Sequence, residues 1–326
     1  MIIAKTPFRM SFFGGGTDFK EFFLEHGGSV IASTFDKYCY VNVRQLPPFF
    51  EYKNELIYSK IERVSNREDV KHPAIRNAMI YKNINNIRLT YDADLPARSG
   101  LGTSSAFASG MLNAFSALQG EYIDKKTLAK DAIYLERDLC NEAGGWQDQV
   151  SCTFGGLNKI SFHDSGFQIE PVTISKDRKS ELESNLLLFF TGFTRFSTDV
   201  QDVVVKSIKD KTRELLEMKS LVHEAETILV NSKSNISDFG RLLDYSWKLK
   251  RSISKDISSN NIDLIYRKAM NCGALGGKLL GAGGGGFFLF YVEKDKQLRF
   301  INDLSDLLHI PFKFEEIGTH VVYYAS

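Results

Sequence analysis

The stretch "PARSGLGTSSA" at residues 96–106 constrains the fold of this chain more than any other. It follows an alternating segment typical of a strand, "NIRLTYDADL" at 86–95, and leads into a small apolar segment, "SSAFASGMLNAFSALQG" at 104–120. That second segment ends at Gly120, as helices commonly do. The pattern predicts a strand, a glycine-rich turn and a buried helix in succession.

The residue types in this turn suit two structures. Gly100 and Gly102 have no Cβ, so the backbone can approach an anion closely, and Thr103 lies where the helix would begin. Free N–H groups and the positive end of the helix dipole form a natural phosphate site there, and a serine hydroxyl can also ligate Mg²⁺. The lysine of a Walker A loop is absent. A turn whose Ser or Thr caps the helix and a phosphate cradle both remain open at this point.

Composition and charge exclude several classes of protein. A chain of 326 residues predicts two domains, and a formal net charge of +1 argues against nucleic acid or an anionic membrane as a partner. The four cysteines are scattered without a CxxC pair, which argues against a disulfide framework and against a zinc site. The apolar run at the N-terminus is too short for a signal peptide, and no segment approaches 18 apolar residues. We therefore expect a cytoplasmic protein.

The order of predicted elements indicates an α+β protein. Strands are predicted at 1–13, 86–95, 154–162 and 166–174, a long strand or hairpin at 28–45, and helices at 104–120 and 124–140. In the second half, amphipathic helices at 199–230, 237–257 and 295–308 alternate with strands at 185–192, after the glycines of 278–292, and at 312–325. The polar stretch "SKDRKSELES" at 175–184 marks a boundary between domains at 1–180 and 181–326.

Two carboxylates suit phosphoryl-transfer chemistry. Asp148 lies in "GGWQDQVSCTFGG" at 144–156, twelve residues after Glu136. A carboxylate held in such a glycine-flanked turn can act as a general base or orient a hydroxyl. A second carboxylate can hold Mg²⁺, which takes few protein oxygens and keeps its waters. The alternative for each residue is a surface acid in a salt bridge.

Two glycine-rich stretches complete the set. In "TPFRMSFFGGGTDF" at 6–19, Arg9 can hold a carboxylate or phosphate bidentately and Asp18 can accept hydrogen bonds from sugar hydroxyls, although an ordinary turn is the alternative. "GAGGGG" at 281–286 has five glycines in six residues, which a simple turn rarely needs. Close approach to a ligand or to another loop explains it better.

Together, "FRMSFFGGGTD", "GLGTSSAF", "GGWQDQ" and the late "GAGGGG" resemble the GHMP kinases, in the order found in that family. The family is named for galactokinase, homoserine kinase, mevalonate kinase and phosphomevalonate kinase. The resemblance spans the chain from Pro7 to the strand after Gly286. Galactokinases have Gly-Glu-His before Thr-Asp, whereas this chain has three glycines at 14–16, which argues against galactose as the substrate.

The resemblance implies a role for each motif. Asp148 would be the catalytic aspartate, Arg9 would help to neutralise the transferred phosphoryl group, and Mg²⁺ would be held by Ser104 and Glu136. The phosphates of ATP would be bound by Arg98, Ser99, Gly100, Leu101, Gly102, Thr103, Ser104 and Ser105. The substrate would be bound by Gly15, Gly16, Thr17, Asp18, Arg195, Gly284 and Gly285.

The resemblance also implies a fold and an activity. The fold would be a two-domain one, with an N-terminal domain like the second domain of ribosomal protein S5 and a ferredoxin-like C-terminal domain. The motifs are closest to the bacterial branch of the family that phosphorylates O1 of D-glycero-D-manno-heptose 7-phosphate. An L-fucose or related sugar 1-kinase is the alternative, and a sugar and nucleotide sensor without turnover is an alternative of another class.

A sugar phosphate as the partner would need a further anion site. "TGFTRFSTD" at 191–199 opens the first long helix of the second half, and Arg195 with Ser197 and Thr198 can hold a 7-phosphate there. The alternative is an ordinary capped helix with a solvated arginine. A homodimer is compatible with the sequence, and neither nucleic acid nor a membrane is expected as a partner.

Overall fold

The computed structural model describes residues 1–97, 99–192 and 205–325. The larger of its two sheets comprises β1 (Ile2–Phe13), β2 (Gly28–Gln45), β3 (Asn54–Ile57), β4 (Ile61–Val64), β5 (Ile87–Ala93), β6 (Leu157–His163), β7 (Gly166–Pro171), β12 (Phe314–Glu315) and β13 (His320–Tyr324). The smaller comprises β8 (Leu186–Phe190), β9 (Gly276–Leu279), β10 (Phe287–Tyr291) and β11 (Leu308–Ile310).

Helices lie between these strands along the chain. They are α1 (Lys20–His26), α2 (Pro73–Tyr81), α3 (Thr103–Leu118), α4 (Lys125–Tyr134), α5 (Gln147–Phe154), α6 (Lys176–Ser184), α7 (Thr212–Val230), α8 (Ser237–Ile253), α9 (Asn260–Asn271) and α10 (Lys294–Asp303). A π-helical segment, Leu135–Leu139, continues α4, and 3₁₀ turns lie at Arg67–Asp69 and Lys255–Ile257. The expected α+β class is confirmed.

The long apolar segment at 28–45 forms one strand, β2, and organises the larger sheet. On one edge it pairs antiparallel with β1 over most of its length. On the other edge its first part pairs with β6, where Gly28 faces Phe162, and its last part pairs with β5, where Cys39 faces Ala93. The larger sheet is antiparallel except for the pairing of β3 with β5.

The chain returns to this sheet at its end. β13 pairs with β1, and Phe314 of β12 faces Phe35 of β2. The segment 314–324, which lies within the predicted C-terminal domain over 181–326, thus completes the first sheet rather than the second. Hydrogen bonding accounts for this, since β13 satisfies the edge of β1 that β2 leaves unpaired.

Helix α3 packs against β1 and β2 through a nearly continuous buried surface. Its small residues permit this close approach. A Cβ on Gly110 would lie 2.7 Å from Oγ1 of Thr6 on β1. The small residues that predict a buried helix thus also allow α3 to pack closely on β1.

The two sheets share one core. Phe12 and Phe13 at the end of β1 make edge-to-face contacts with Phe239 of α8, with ring centroids 5.5 and 5.1 Å apart. The same buried cluster includes Leu188 of β8 and Tyr291 of β10. Because apolar side chains from both halves interdigitate, loops from each half meet at one cleft.

The glycine run at 281–286 is explained by close approach to another loop. It connects β9 to β10 and packs on the loop that precedes α3. A Cβ on Gly281 would lie 2.3 Å from Cα of Gly100, and one on Gly286 would lie 2.2 Å from the carbonyl oxygen of Ser99. Gly286 also has a φ of +108°, where only glycine is unstrained.

We predict that Gly286→Ala destabilises the protein more than Gly166→Ala. Both glycines have positive φ, at +108° and +121°, but nothing lies within 4 Å of a Cβ on Gly166. The backbone strain common to both costs about 1–3 kcal/mol, and the clash should add about 1–3 kcal/mol in Gly286→Ala alone. Urea unfolding of the two variants measures the difference, and equal losses would refute the close contact.

Candidate active site

The loop before α3 holds its glycines in conformations that other residues rarely adopt. Gly100 and Gly102 adopt left-handed conformations with φ of +79° and +72°, and no side chain caps the helix that begins at Thr103. The carbonyl groups of this loop point to β1: that of Leu101 accepts from the backbone N–H of Arg9 at 3.0 Å. The N-cap position is thus a glycine that makes no side-chain cap, which is compatible with an anion at the helix N-terminus.

Arg9 links this loop to the acidic turn. Its Nε and Nη2 donate to the two carboxylate oxygens of Asp148 at 2.8 and 2.6 Å, and its Nη1 donates to the carbonyl of Gly100 at 2.7 Å. Burial disfavours the charged guanidinium, but the charge and hydrogen bonds of Asp148 outweigh it, so the pKa of Arg9 is raised. The side chain of Asp148 keeps 21% of its surface exposed, against 4% for Arg9. Asp148 can therefore still meet a ligand.

Asp18 is more deeply buried than Asp148. Its carboxylate accepts from the backbone N–H of Gly16 at 2.9 Å and of Gln147 at 3.2 Å. Burial first, and then the nearby charge of Asp148, raise the pKa of Asp18, against these two hydrogen bonds. A Cβ on Gly145 would lie 1.8 Å from Oδ2 of Asp18, so a glycine is required at that position. Two carboxylates thus face one space from neighbouring turns.

Glu136 is the centre of a buried polar cluster. It lies in the π-helical segment, where the backbone N–H of Cys140 bonds to the carbonyl of Leu135. Its carboxylate accepts from Oγ of Ser104 at 2.5 Å and of Ser105 at 2.6 Å, and from the side-chain amide of Gln149. Ser104 and Glu136, predicted to share a metal ion, are therefore in contact.

Three further basic side chains line the same space as the two carboxylates. Lys250 near the end of α8 donates to the carbonyl of Gly281, and Lys278 of β9 donates to the carbonyl of Phe12 at 2.7 Å. Arg137 donates to the carbonyls of Glu142 and Ala143, and its Nη2 lies 4.0 Å from Glu136. Burial and the charge of Arg9 lower the pKa of Lys250 to about 8.

These groups surround one cavity. Phe19, Ile253, Ile257 and Ala282 give it an apolar wall, and Gly15, Gly16, Gly145 and Gly281 line it with backbone. Its polar lining comes from Arg9, Ser11, Asp18, Arg137, Gln147, Asp148, Lys250 and Lys278. Charged donors beside an apolar wall suit a small polar ligand that carries negative charge.

The predicted site residues divide into those that line this cavity and those that do not. Arg9, Gly15, Gly16, Asp18 and Asp148 line it. The loop from Ser99 to Ser105 does not; it lies behind Arg9. Ser105 is buried and supports Glu136 instead of facing a ligand.

Other predicted residues have structural contacts. The hydroxyl of Thr17 is buried, donating to the carbonyls of Gly14 and Ser29 and accepting from the N–H of Ser29. Gly284 and Gly285 are not among the residues that line the cavity. The backbone N–H of Gly284 donates to the carbonyl of Ile257. Arg98 and Arg195 lie outside the described residues.

The sequence analysis missed Lys250, Lys278 and Gln149. Lys278 carries a readable signal, because it is a lone charge in the apolar run before the glycines of 281–286. Gln149 is a buried polar residue one position after Asp148 in the short helix α5. Lys250 lies in a run with Lys248 and Arg251, which reads as a solvated helix face.

Comparisons with known proteins decide the family. The model for the N-terminal domain of GHMP kinases matches residues 69–156, and the model for their C-terminal domain matches residues 225–309. A D-glycero-alpha-D-manno-heptose 7-phosphate kinase of Campylobacter jejuni is 30% identical over 327 residues, which cover 93% of each chain. The chain belongs to the GHMP kinases.

Other relatives agree with this placement. A bifunctional fucokinase/GDP-fucose pyrophosphorylase of Arabidopsis thaliana is 29% identical over 64% of this GHMP kinase, which spans only 20% of that protein. The crystal structure of a D-glycero-D-manno-heptose 1-phosphate kinase from Bacteroides thetaiotaomicron superposes with a TM-score of 0.74 over the whole of both chains, at 22% identity. The two-domain GHMP kinase fold is thereby confirmed, and the protein is a phosphotransferase that acts on a sugar hydroxyl. Among the described residues, no helix is both long and apolar enough to cross a bilayer.

We predict strong coupling between Arg9 and Asp148 in a double-mutant cycle. Arg9→Met and Asp148→Ala each leave a buried or half-buried charge unpaired, so the double variant should lose about 1–3 kcal/mol less stability than the sum of the single variants. The pair Lys296 and Glu293 is a matched control, since it has the same 2.6 Å separation with side chains 45% and 36% exposed. Its coupling should stay below about 1 kcal/mol by urea unfolding. Similar coupling in both pairs would contradict the expectation that burial strengthens the interaction between Arg9 and Asp148.

Proposed function

We propose that this GHMP kinase transfers the γ-phosphoryl group of ATP to O1 of D-glycero-D-manno-heptose 7-phosphate, which yields the 1,7-bisphosphate. One observation carries the proposal: Arg9 holds the partly exposed carboxylate of Asp148 between the glycine loop before α3 and a cavity rich in basic side chains. The identity of 30% to a heptose 7-phosphate kinase supports the choice of sugar. The excess of cations around the cavity supports a substrate that itself carries a phosphate.

The proposed reaction needs alignment and charge neutralisation. A bond forms between O1 of the sugar and the γ-phosphorus while the bond from that phosphorus to ADP breaks. Asp148 accepts the hydrogen bond of the attacking hydroxyl, so the proton has an acceptor as the new bond forms. Arg9 lies against Asp148 and neutralises charge on the transferred group. Its three hydrogen bonds hold the guanidinium in place before the substrate arrives.

The cavity supplies the sugar site in this proposal, and Asp18 orients the sugar. Its carboxylate accepts hydrogen bonds from sugar hydroxyls while the N–H groups of Gly16 and Gln147 hold it still. The glycines at 15 and 16 leave room beside it, since a Cβ on Gly15 would meet only ordinary contacts at 3.6 Å. ATP would then lie on the far side of Arg9, with its phosphates at the uncapped start of α3.

Ser104 and Glu136 fit the Mg²⁺ that ATP brings. Their oxygens are in contact at the N-terminus of α3, and Mg²⁺ uses one or two protein oxygens together with phosphates and waters. The described residues contain no group of three or more His, Cys, Asp or Glu side chains that could hold a metal alone, as expected when phosphates complete the coordination. When bound there, Mg²⁺ would neutralise charge on the phosphates.

An L-fucose or related sugar 1-kinase is the second candidate, and the similarity to the Arabidopsis bifunctional fucokinase favours it. A neutral sugar leaves the cationic lining of the cavity without a partner, so we place it second. A sensor without turnover is a weaker explanation, because Asp148, Arg9, Glu136 and Ser104 form a complete catalytic set. Action on a soluble sugar phosphate also supports a location in the cytoplasm.

We predict turnover with heptose 7-phosphate and little with L-fucose, galactose or mevalonate. ADP release in a coupled assay over these four acceptors measures it, and kcat/KM for the heptose phosphate should exceed the others by at least about 100-fold, because unpaired cavity cations penalise a neutral acceptor. Preference for L-fucose would replace the proposal by its second candidate. ATP binding without turnover on any acceptor would favour the sensor.

We predict that Asp148→Ala abolishes turnover, by about 10³-fold or more, while ATP still binds. Asp148 touches the acceptor hydroxyl in the proposal but no part of the loop before α3. Calorimetric titration with ATP separates the two effects. Asp256→Ala is a suitable control, since this exposed carboxylate lies outside the cavity. Loss of ATP binding in Asp148→Ala would place the residue on the nucleotide instead.

We predict that Glu136→Gln weakens the binding of MgADP more than that of ADP without Mg²⁺. The amide keeps one oxygen but loses the charge that Mg²⁺ prefers. Calorimetry with and without Mg²⁺ gives the two affinities, and we expect the Mg²⁺-dependent part to fall by about 10-fold or more. Glu142→Gln is the matched control, because Glu142 lies six residues on and makes no contact with Ser104. Equal changes with and without Mg²⁺ would remove Glu136 from the metal site.

A further inference from the structure

Lys250 is a charged residue of the cavity for which the motifs and the mechanism above give no role. It lies in the last turn of α8 and lines the cavity together with Asp148. Its ammonium group donates to the carbonyl of Gly281 and lies 3.5 Å from that of Leu279. Within the part of the chain that the structure describes, no carboxylate pairs with it. An ammonium group has three donors, so the contacts with the glycine loop leave it donor capacity toward the cavity.

The charges around Lys250 point to an anionic ligand. Asp148 is already paired with Arg9, so Asp18 is the nearest carboxylate without an arginine or lysine partner. Lys278 adds a further cation, and its pKa is lowered well below the usual value by burial and then by Lys250. Burial lowers the pKa of Lys250 to about 8, with Arg9 contributing. The basic groups Arg9, Lys250 and Lys278 thus disfavour one another's charged forms. An anion bound in the cavity would reduce this repulsion.

Of the two lysines, Lys250 is the one placed to touch that anion. Lys278 has only 3% of its surface exposed, and its ammonium group is directed to the carbonyl of Phe12. Lys250 is half-buried, and its ammonium group lies beside the backbone of Gly281, which lines the cavity. A compact ammonium on a flexible stem suits a phosphate group, which accepts hydrogen bonds from several directions.

We propose that Lys250 binds a phosphate group in the cavity and so supplies a charged ligand contact from the second half of the chain. The proposal rests on the function proposed above, and the phosphate has two sources there: the γ-phosphate of ATP or the phosphate of the sugar. The contacts with Gly281 and Leu279 also suggest a purely structural role, which would only hold the glycine loop in place.

Direct binding measurements separate these roles without relying on turnover. The variants are Lys250→Met, which removes the charge, and Lys250→Arg, which keeps it. Lys248→Met is the matched control, because Lys248 lies on the same helix with a side chain 64% exposed and paired with Asp244. Calorimetry at pH 7 measures affinities for ATP, ADP, heptose 7-phosphate and inorganic phosphate.

The proposal expects Lys250→Met to lose about 10-fold to 100-fold in affinity for at least one of these ligands. Lys250→Arg should stay within about 5-fold of the native protein, and Lys248→Met should be unchanged. A loss for ATP but not ADP assigns Lys250 to the γ-phosphate, and a loss for heptose 7-phosphate alone assigns it to the sugar. If the native protein does not bind the heptose phosphate, the proposed substrate is wrong, while ATP and inorganic phosphate still test Lys250.

Two results would overturn the proposal. One is unchanged affinity for all four ligands in Lys250→Met. The other is an equal loss in Lys250→Met and Lys250→Arg, accompanied by an equal fall in the thermal unfolding midpoint, since both changes would then act through the glycine loop.

The pH dependence of binding gives a further readout that a structural role would not change. Only the protonated ammonium attracts phosphate, so affinity should fall as the pH rises through about 8, and Lys250→Arg should keep its affinity to higher pH. The charged groups that face Lys250 are Arg9 of β1, Asp18 after β1, Asp148 of α5, Arg137 after α4 and Lys278 of β9. Identical pH profiles for the native protein and Lys250→Arg would contradict the role of Lys250.

Discussion

The three hydrogen bonds of the Arg9 guanidinium connect two separate parts of the site. Arg9 lies in β1, and from there it joins the loop before α3, through Gly100, to the first turn of α5, through Asp148. Asp148 is 139 residues away in the chain, so this contact exists only once the larger sheet and its helices have packed. Because the guanidinium is buried, its charge depends on Asp148, and Asp148 depends on it for orientation. The position of the proposed catalytic carboxylate is thereby tied to the position of the loop proposed to bind phosphate.

Glycine makes the same connection from the side of the smaller sheet. Gly281 and Gly286 lie so close to Gly100 and Ser99 that a Cβ on either of the first two glycines would clash with the backbone of the other loop. The loop from β9 to β10 therefore packs against the loop before α3, while its residues Gly281 and Ala282 also line the cavity. One short segment of the second half thus supports the proposed nucleotide side of the site and forms part of the proposed sugar side.

Sequence reasoning was most successful where chemistry and local structure are encoded by neighbouring residues. The strand, glycine turn and helix at 86–120 follow from periodicity and from Gly100 and Gly102, and the candidate carboxylates follow from the polar turns that hold them. The pairing of Arg9 with Asp148 and the return of β13 to β1 could not be predicted, because they depend on contacts between distant parts of the chain. Lys250 was missed for a related reason. In a run of basic residues on an amphipathic helix nothing distinguishes the lysine that faces the cleft from those that face water, and only the packing of α8 against β9 does so.

Burying charged groups in this cleft lowers the stability of the folded protein. Burial raises the pKa of Asp18 and lowers that of Lys250, so each group is less stable in its charged form than it would be in water. Had the two been adjacent, an ion pair would have cancelled much of this cost. Instead, backbone N–H groups hold Asp18 and backbone carbonyls hold Lys250, and the space between them stays open. A ligand with hydroxyl groups for the carboxylate and a phosphate for the ammonium would satisfy both, which is why the unpaired charges are informative about the substrate as well as about stability.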